Sequence, residues 1–332
     1  MRLTGFVIAG FMACAIVTAG HASDAPVHAV DSVAMTVGDA EVSRAFFEQV
    51  LDFRLVSDTE DSGGAYEHLY GVFGLRLRTV TLKLGDERLQ LQQFIAPPGR
   101  PIPGDLKSND RSFQHVAIIV SDMDRAFARL RDAKVHFASS APQVLPATIP
   151  AAAGIAAFYF RDPDGHYLEI LHFPADKGDA KWRLHPDRLF LGIDHTAIVV
   201  EDTDSSLSFY RDVLGMHIVG TSENFGNEQE HLNNVFGARL RITALRAAHG
   251  PGVELLEYLA PRSGRPMPED THANDLWFWH INFSADVKGA EGLIRAHHYA
   301  MISTGVIAQA SAILIDDPDG HASLLQQSKS SP

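Results

Sequence analysis

The chain repeats itself, and this limits the folds open to it more than any other feature. FRDPDGHYLEIL at residues 160–171 returns as IDDPDGHASLLQ at 315–326. EHLYGVFGLRLR at 67–78 returns as EHLNNVFGARLR at 230–241, and APPGRPIP at 96–103 returns as APRSGRPMP at 260–268. Text that recurs in the same order at one spacing marks a duplicated structural unit. Two halves, residues 28–173 and 189–328, are therefore expected to share one fold. PADKGDAKWRLHPDR at 174–188 is polar and punctuated by Pro and Gly, and reads as the linker between them.

Each half divides again. DSVAMTV (31–37), QHVAIIV (114–120), DHTAIVV (194–200) and WHINFSA (279–285) are short, apolar and rich in β-branched residues, as strands are. A polar turn and a helical stretch follow each one. In the third copy Asp204 or Ser205 is placed to cap the helix, Leu207, Tyr210, Val213 and Leu214 form one apolar face, and Gly215 ends it. Further strands come next, such as RLRTVTLKLG (76–85) and GVELLEYL (252–259). The fold class is α+β: four βαβββ modules in two tandem halves.

Composition narrows the function. The net charge of -13, with no Lys/Arg run, excludes a nucleic-acid partner, because phosphate binding needs basic patches. At the N-terminus, Arg2 precedes an uncharged apolar stretch, GFVIAGFMACAIVTAG (5–20), and then GHASDAP. A basic start, an apolar core and small residues before a polar sequence describe a secretory signal peptide over residues 1–22, cleaved after Ala22. The mature chain is then exported, to a periplasm or the extracellular space, with no membrane span. Cys14, the only cysteine, lies inside this segment, so mature protein has neither disulfides nor thiol catalysis. FMAC around it is a poor match to a leucine-led lipidation site.

The strand–helix–strand text, the SFYRDVLGM helix end and the DPDGH-x-x-E loop resemble the vicinal oxygen chelate superfamily, which includes glyoxalases, bleomycin-resistance proteins and extradiol dioxygenases. The resemblance covers almost the whole mature chain. It implies that modules pair into cupped, open β-barrels, each around one divalent metal. It also implies that ligands come from the start of a module's first strand and from its last strand. The matching first-strand positions here are Ser32, His115, His195 and His280, and the matching last-strand positions are Gln90, Glu169, Glu254 and Leu324. Gln93 and Glu257, three residues further on, would face the opposite side of their strands.

How the modules pair decides what the site contains. Pairing one with two and three with four leaves both sites incomplete, by Ser32 and Gln90 in one and by Leu324 in the other. Pairing two with three gives His115, Glu169, His195 and Glu254, a full set, and leaves Ser32, Gln90, His280 and Leu324 in a poor twin. Neutral imidazole and carboxylate suit Zn, Ni, Fe or Mn. The resemblance then implies a metal-dependent glyoxalase-like enzyme. It would act on a small substrate with adjacent oxygens through an enediolate-type intermediate, with Glu169 or Glu254 moving a proton. The alternatives are an extradiol-type ring-cleaving dioxygenase, which needs two histidines and one carboxylate, and a non-catalytic binder of small molecules.

Other polar residues have plainer readings. Asp-Pro-Asp-Gly is turn chemistry, so His166 and His321 are read as turn residues. Glu67, His68, Glu230 and His231, in the twin EHL segments, suggest a shared structural role. Arg100 and Arg265, in the GRP loops, serve either to pack loops or to clamp an anion.

Overall fold

The computed structural model describes residues 26–327; residues 1–25, which hold the expected signal sequence and Cys14, and residues 328–332 lie outside it. The first module runs β1 (Val27–Thr36), α1 (Ala40–Leu51), β2 (Arg54–Ser62), α2 (Gly64–Tyr70), β3 (Arg76–Leu84) and β4 (Glu87–Ala96). The second runs β5 (Gln114–Val120), α3 (Met123–Asp132), the two-residue strands β6 (His136–Phe137) and β7 (Gln143–Val144), β8 (Ala156–Arg161) and β9 (Tyr167–His172). The third has β10 (Phe190–Val200), α4 (Thr203–Leu207), β11 (His217–Phe225), α5 (Asn227–Asn233), β12 (Arg239–Arg246) and β13 (Gly252–Ala260). The fourth has β14 (Trp279–Ala285), α6 (Val287–Ala296), β15 (Ala312–Asp316) and β16 (Ala322–Gln327). The even modules are thus abbreviated: β6 and β7 are fragments, and the fourth module has two strands after its helix. No helix among the described residues is long and apolar enough to cross a membrane.

The third-module helix starts two or three residues earlier than the sequence suggests. Asp202, not Asp204 or Ser205, is its N-cap, accepting from Ser205 N at 2.8 Å. The helix then widens into a π-turn over Ser208–Val213. Asp202 alone has the extended backbone that an N-cap needs.

Two sheets form, and each draws on both halves. One has seven strands in the order β15-β16-β14-β1-β4-β3-β2. The other follows β11-β12-β13-β10-β5-β9-β8-β6, with β7 on β8. The seams are antiparallel pairs of first strands. β1 meets β14 with Ala34 opposite His280, and β5 meets β10 with His115 opposite Ala197. Modules two and three therefore make one cup, and modules one and four make the other.

Side chains alternate across each strand, so each sheet has a helix side and a cup side. On the helix side one core comes mainly from the first half, with Phe190, Ile193 and Trp279 joining it, and the other mainly from the second, with Val27 and Val30 joining it. Phe47 and Leu51 of α1 pack with Leu130 of α3, Leu89 and Ile170 in one. Phe209, Tyr210, Ile294 and Leu325 pack in the other. Cup interiors cross the halves, with Tyr159 beside Val199, Leu256 and Tyr258, and Leu69 and Phe94 beside Leu314 and Leu324.

The GRP loops fasten the connection between modules one and two to that between modules three and four. Arg100 N and Nη2 bond the buried carboxylate of Asp275 at 2.9 and 2.7 Å. Arg265 repeats this on Asp110 at 2.8 and 2.7 Å. The preceding glycines are required by closeness, because a Cβ on Gly99 or Gly264 would lie 1.7 Å from the carbonyl oxygen of Asn274 or Asn109. Arg100 and Arg265 are thus loop-packing residues, not an anion clamp. The linker is ordered: Ala180–Arg183 forms a 3-10 turn that buries Trp182.

Candidate metal centre

Parallel pairing sets the last-strand residues. Ala117 lies opposite Glu169 and Ala197 opposite Glu254, at equivalent points two residues past His115 and His195. Leu168 and Ile170 face the helix-side core, so the pleat turns Glu169 into the cup. Val253 and Leu255 do the same for Glu254. Glu257 instead faces the helix side, where it accepts from Thr203 N, and Gln93 likewise accepts from Ala40 N.

His115, Glu169 and His195 form one buried group whose donor atoms all lie within 4.8 Å of one another. Glu169 Oε2 is 3.2 Å from His115 Nε2 and 3.8 Å from His195 Nε2. Glu254 stands to one side, its Oε2 3.4 Å from His195 Nε2, and its side chain keeps 23% exposure against 5% for Glu169.

Asp194 holds His195 in place. Its Oδ2 bonds His195 Nδ1 at 2.9 Å, and its Oδ1 accepts from Arg246 Nη2 at 2.9 Å. Burial disfavours the charge of Asp194, but the bond to His195 and the Arg246 guanidinium outweigh it and hold its pKa well below the usual carboxylate range. Burial likewise opposes protonation of His195, yet Glu254, Asp194 and Glu169 raise its pKa to about 9. The pKa of Glu254 is raised, first by burial and then by Asp194 and Glu169, against the pull of His195. Burial and the Glu169 charge also raise the pKa of Tyr159, whose ring lies 4.9 Å from that of His115.

The donor set fits a divalent cation. His115 is buried, its Nδ1 has no hydrogen-bond partner, and its Nε2 meets Glu169 at 3.2 Å without hydrogen-bond geometry. Buried polar atoms are rarely left so, and a cation shared with His195 and the two carboxylates would satisfy it. The group opens into a cavity of about 210 Å³ whose lining includes all four residues.

The twin cup has gone another way. Asn282 Nδ2 donates to Ser32 Oγ at 2.7 Å and to Gln90 Oε1 at 3.1 Å. His280 Nε2 meets Gln92 Oε1 at 3.0 Å, and Gln92 Nε2 donates to Tyr70 Oη at 2.9 Å. Leu324 packs with Tyr70, Phe94, Phe278 and Leu314. Neutral hydrogen bonds and apolar packing take the place of ligands there.

The DPDGH histidines are structural. His166 Nδ1 bonds Asp162 at 2.8 Å and its Nε2 donates to Leu276 O at 2.7 Å, so although Asp162, Asp164 and His166 cluster, the imidazole is already used. His321 bonds Asp317 in the same way at 3.2 Å. His231 bonds Ser140 Oγ at 3.1 Å and its EHL helix walls the cavity through Gln229 and Leu232. Sequence reasoning missed Asp194, Arg246, Tyr159 and the amides Asn224 and Gln229. The one available signal was the acid directly before His195.

A sequence profile of the Glyoxalase/Bleomycin resistance protein/Dioxygenase superfamily matches residues 29–170 and 192–323. Comparison with curated proteins gave no match. The fold is similar to that of glyoxalase I from Zea mays, with a TM-score of 0.58 and 14% identity over 90% of this chain and 92% of that one. It is also similar to a Bacillus subtilis protein named as a candidate dioxygenase, with a TM-score of 0.57 and 16% identity over 91% of this chain and 85% of that one. With its repeat matched twice and its two cups built from paired modules, the chain belongs to the glyoxalase/bleomycin resistance/dioxygenase superfamily.

Proposed function

We propose that the chain holds one divalent cation through His115, Glu169, His195 and Glu254 and is a glyoxalase-like enzyme. It shifts a proton between neighbouring carbons of a small compound with adjacent oxygens. The observation that carries this reading is the close group of His115, Glu169 and His195 in a cavity wall, with Glu254 beside it. A bound Zn, Ni, Fe or Mn ion would act as a Lewis acid on the substrate oxygens. Asp194 fixes the tautomer of His195, so that Nε2 faces inward. Glu254, the more exposed acid with the raised pKa, takes a proton from the substrate carbon and returns it to the next.

The test uses mature protein purified without chelator. About one equivalent of metal is expected by elemental analysis, and His115→Ala and Glu169→Gln lose it. Loaded protein should exchange the carbon-bound protons of hydroxyacetone for deuterium in D2O, and Glu254→Gln should slow this about 100-fold. Wild-type protein that takes up no metal would end the reading.

A second reading has its own support. His115, His195 and Glu169 alone are two imidazoles and a carboxylate, the donor set of non-haem iron oxygenases. Oxygen consumption with catechol by Fe(II)-loaded protein, together with no exchange of hydroxyacetone protons, would favour the ring-cleaving dioxygenase. The same account includes export: residues 1–22 are read as a cleaved signal peptide, and secreted protein should begin at Ser23 by mass spectrometry.

A further inference from the structure

We infer that the cavity selects an uncharged, single-ring-sized compound with an apolar body and rejects anionic ones. This rests on the metal-chelating reading above and names its substrate class. One wall is apolar throughout: Leu145, Ala152, Ile155, Ala157, Leu171 and Phe173, all from the second module or the segment that follows β9. The facing wall, from β11 and β12, offers Thr221 and Ser222 beside Ile242 and Ala244. Among the described residues, no Lys or Arg lines the cavity, whereas Asp194, Glu169 and Glu254 all do.

The candidate cations are already used. Arg246 is bonded to Asp194. Arg100 and Arg265, the arginines that the repeat offers, are fixed on Asp275 and Asp110. Glu169 and Glu254 together match the charge of one divalent cation, and Asp194 is matched by Arg246. A carboxylate, phosphate or sulfate on the substrate would therefore enter a cup with no surplus positive charge and low-dielectric walls, and would lose its hydration without a partner. Size agrees with this. A cavity of about 150 Å³ lined by apolar side chains accepts benzene, and this one measures about 210 Å³.

Two chelating probes that differ by one group test the inference. Benzohydroxamic acid presents adjacent oxygens on an uncharged ring and releases one proton on chelation; 4-carboxybenzohydroxamic acid does the same and adds one negative charge on the ring, so the first is the neutral-bodied, or neutral, probe. Titration calorimetry on zinc-loaded wild-type protein should show the neutral probe binding at least tenfold more tightly. Ser222 is half-buried in β11 and its side chain has no assigned role. Ser222→Arg should bring the two affinities within about threefold by favouring the carboxylate. Equal affinities in wild-type protein, or a preference for the charged probe, would overturn the inference and leave the metal site standing. Protein that binds neither zinc nor either probe would overturn both. If Ser222→Arg does not fold, Gly220→Lys, two residues away on the same face of β11 and with nothing within 4 Å of an added Cβ, carries the same expectation.

Discussion

His280 offers a test of what burial does to a group that its cup no longer uses. The ring is buried, its Nε2 is bonded to Gln92 and its Nδ1 has no partner. Burial lowers its pKa from 6.5 to about 4. In the unfolded chain the imidazole takes a proton below its ordinary pKa of 6.5, while the folded chain refuses it until about pH 4. Stability from this group is therefore complete above pH 6.5 and is lost as the pH falls towards 4. Linkage between pH 7.5 and pH 4.5 gives a loss of about 2.5 kcal/mol. The perturbation is His280→Gln, which keeps an amide donor near Gln92 and removes the titration. Urea unfolding of chelator-treated wild type and variant at the two pH values supplies the assay. The variant should be less stable by about 1–2 kcal/mol at pH 7.5, from lost ring packing. That gap should close or reverse at pH 4.5, because carboxylates common to both proteins cancel in the difference. A gap of the same size at both pH values would refute the argument.

Three further outcomes follow from the geometry. Asp194→Asn should weaken zinc binding about 10–100-fold without unfolding the protein, because it loosens the hold on His195 while the amide oxygen still accepts from Arg246, and competition with a chromophoric chelator measures it. Gly99→Ala and Gly264→Ala should each cost about 3 kcal/mol in thermal or urea unfolding, since neither neighbouring carbonyl can retreat from a new methyl. Leu324→Glu, which restores the missing acid of the twin cup, should strongly destabilise the chain and bring no second equivalent of metal, because the carboxylate would sit among Phe94, Phe278 and Leu314 with His280 as its one imidazole and Ser32 where a second is needed.

The parts of this architecture written locally were legible and the parts written across the chain were not. Repetition placed the four first strands, and the pleat placed Gln90, Glu169, Glu254 and Leu324 at matching points, because a strand's side-chain period is a local property. Which module faces which is a contact between residues about 80 and 250 positions apart, as at Thr196 with His115 and Asn282 with Ser32. Only the uneven distribution of histidines and glutamates hinted at it. Asp194 escaped notice because an acid beside a strand histidine looks like ordinary surface. Tyr159, Asn224 and Gln229 escaped because nothing in their local text distinguishes a cavity wall from a core. The shortened second and fourth modules were hidden by the repeat itself, which promised equal copies.

The seam between β1 and β14 has a consequence for biosynthesis. A ribosome makes β1 first and β14 almost last; Ala34 and Met35 meet Gln90 and Leu91 of β4 on one flank early, but on the other they wait for His280 and Trp279. Until then the leading strand has one bare flank, and a nascent polypeptide of that length must wait with an adhesive edge exposed. Such delayed closure would fit the export proposed above, since an exported chain is threaded through its pore before it folds. It would make premature release after the third module a route to insoluble material.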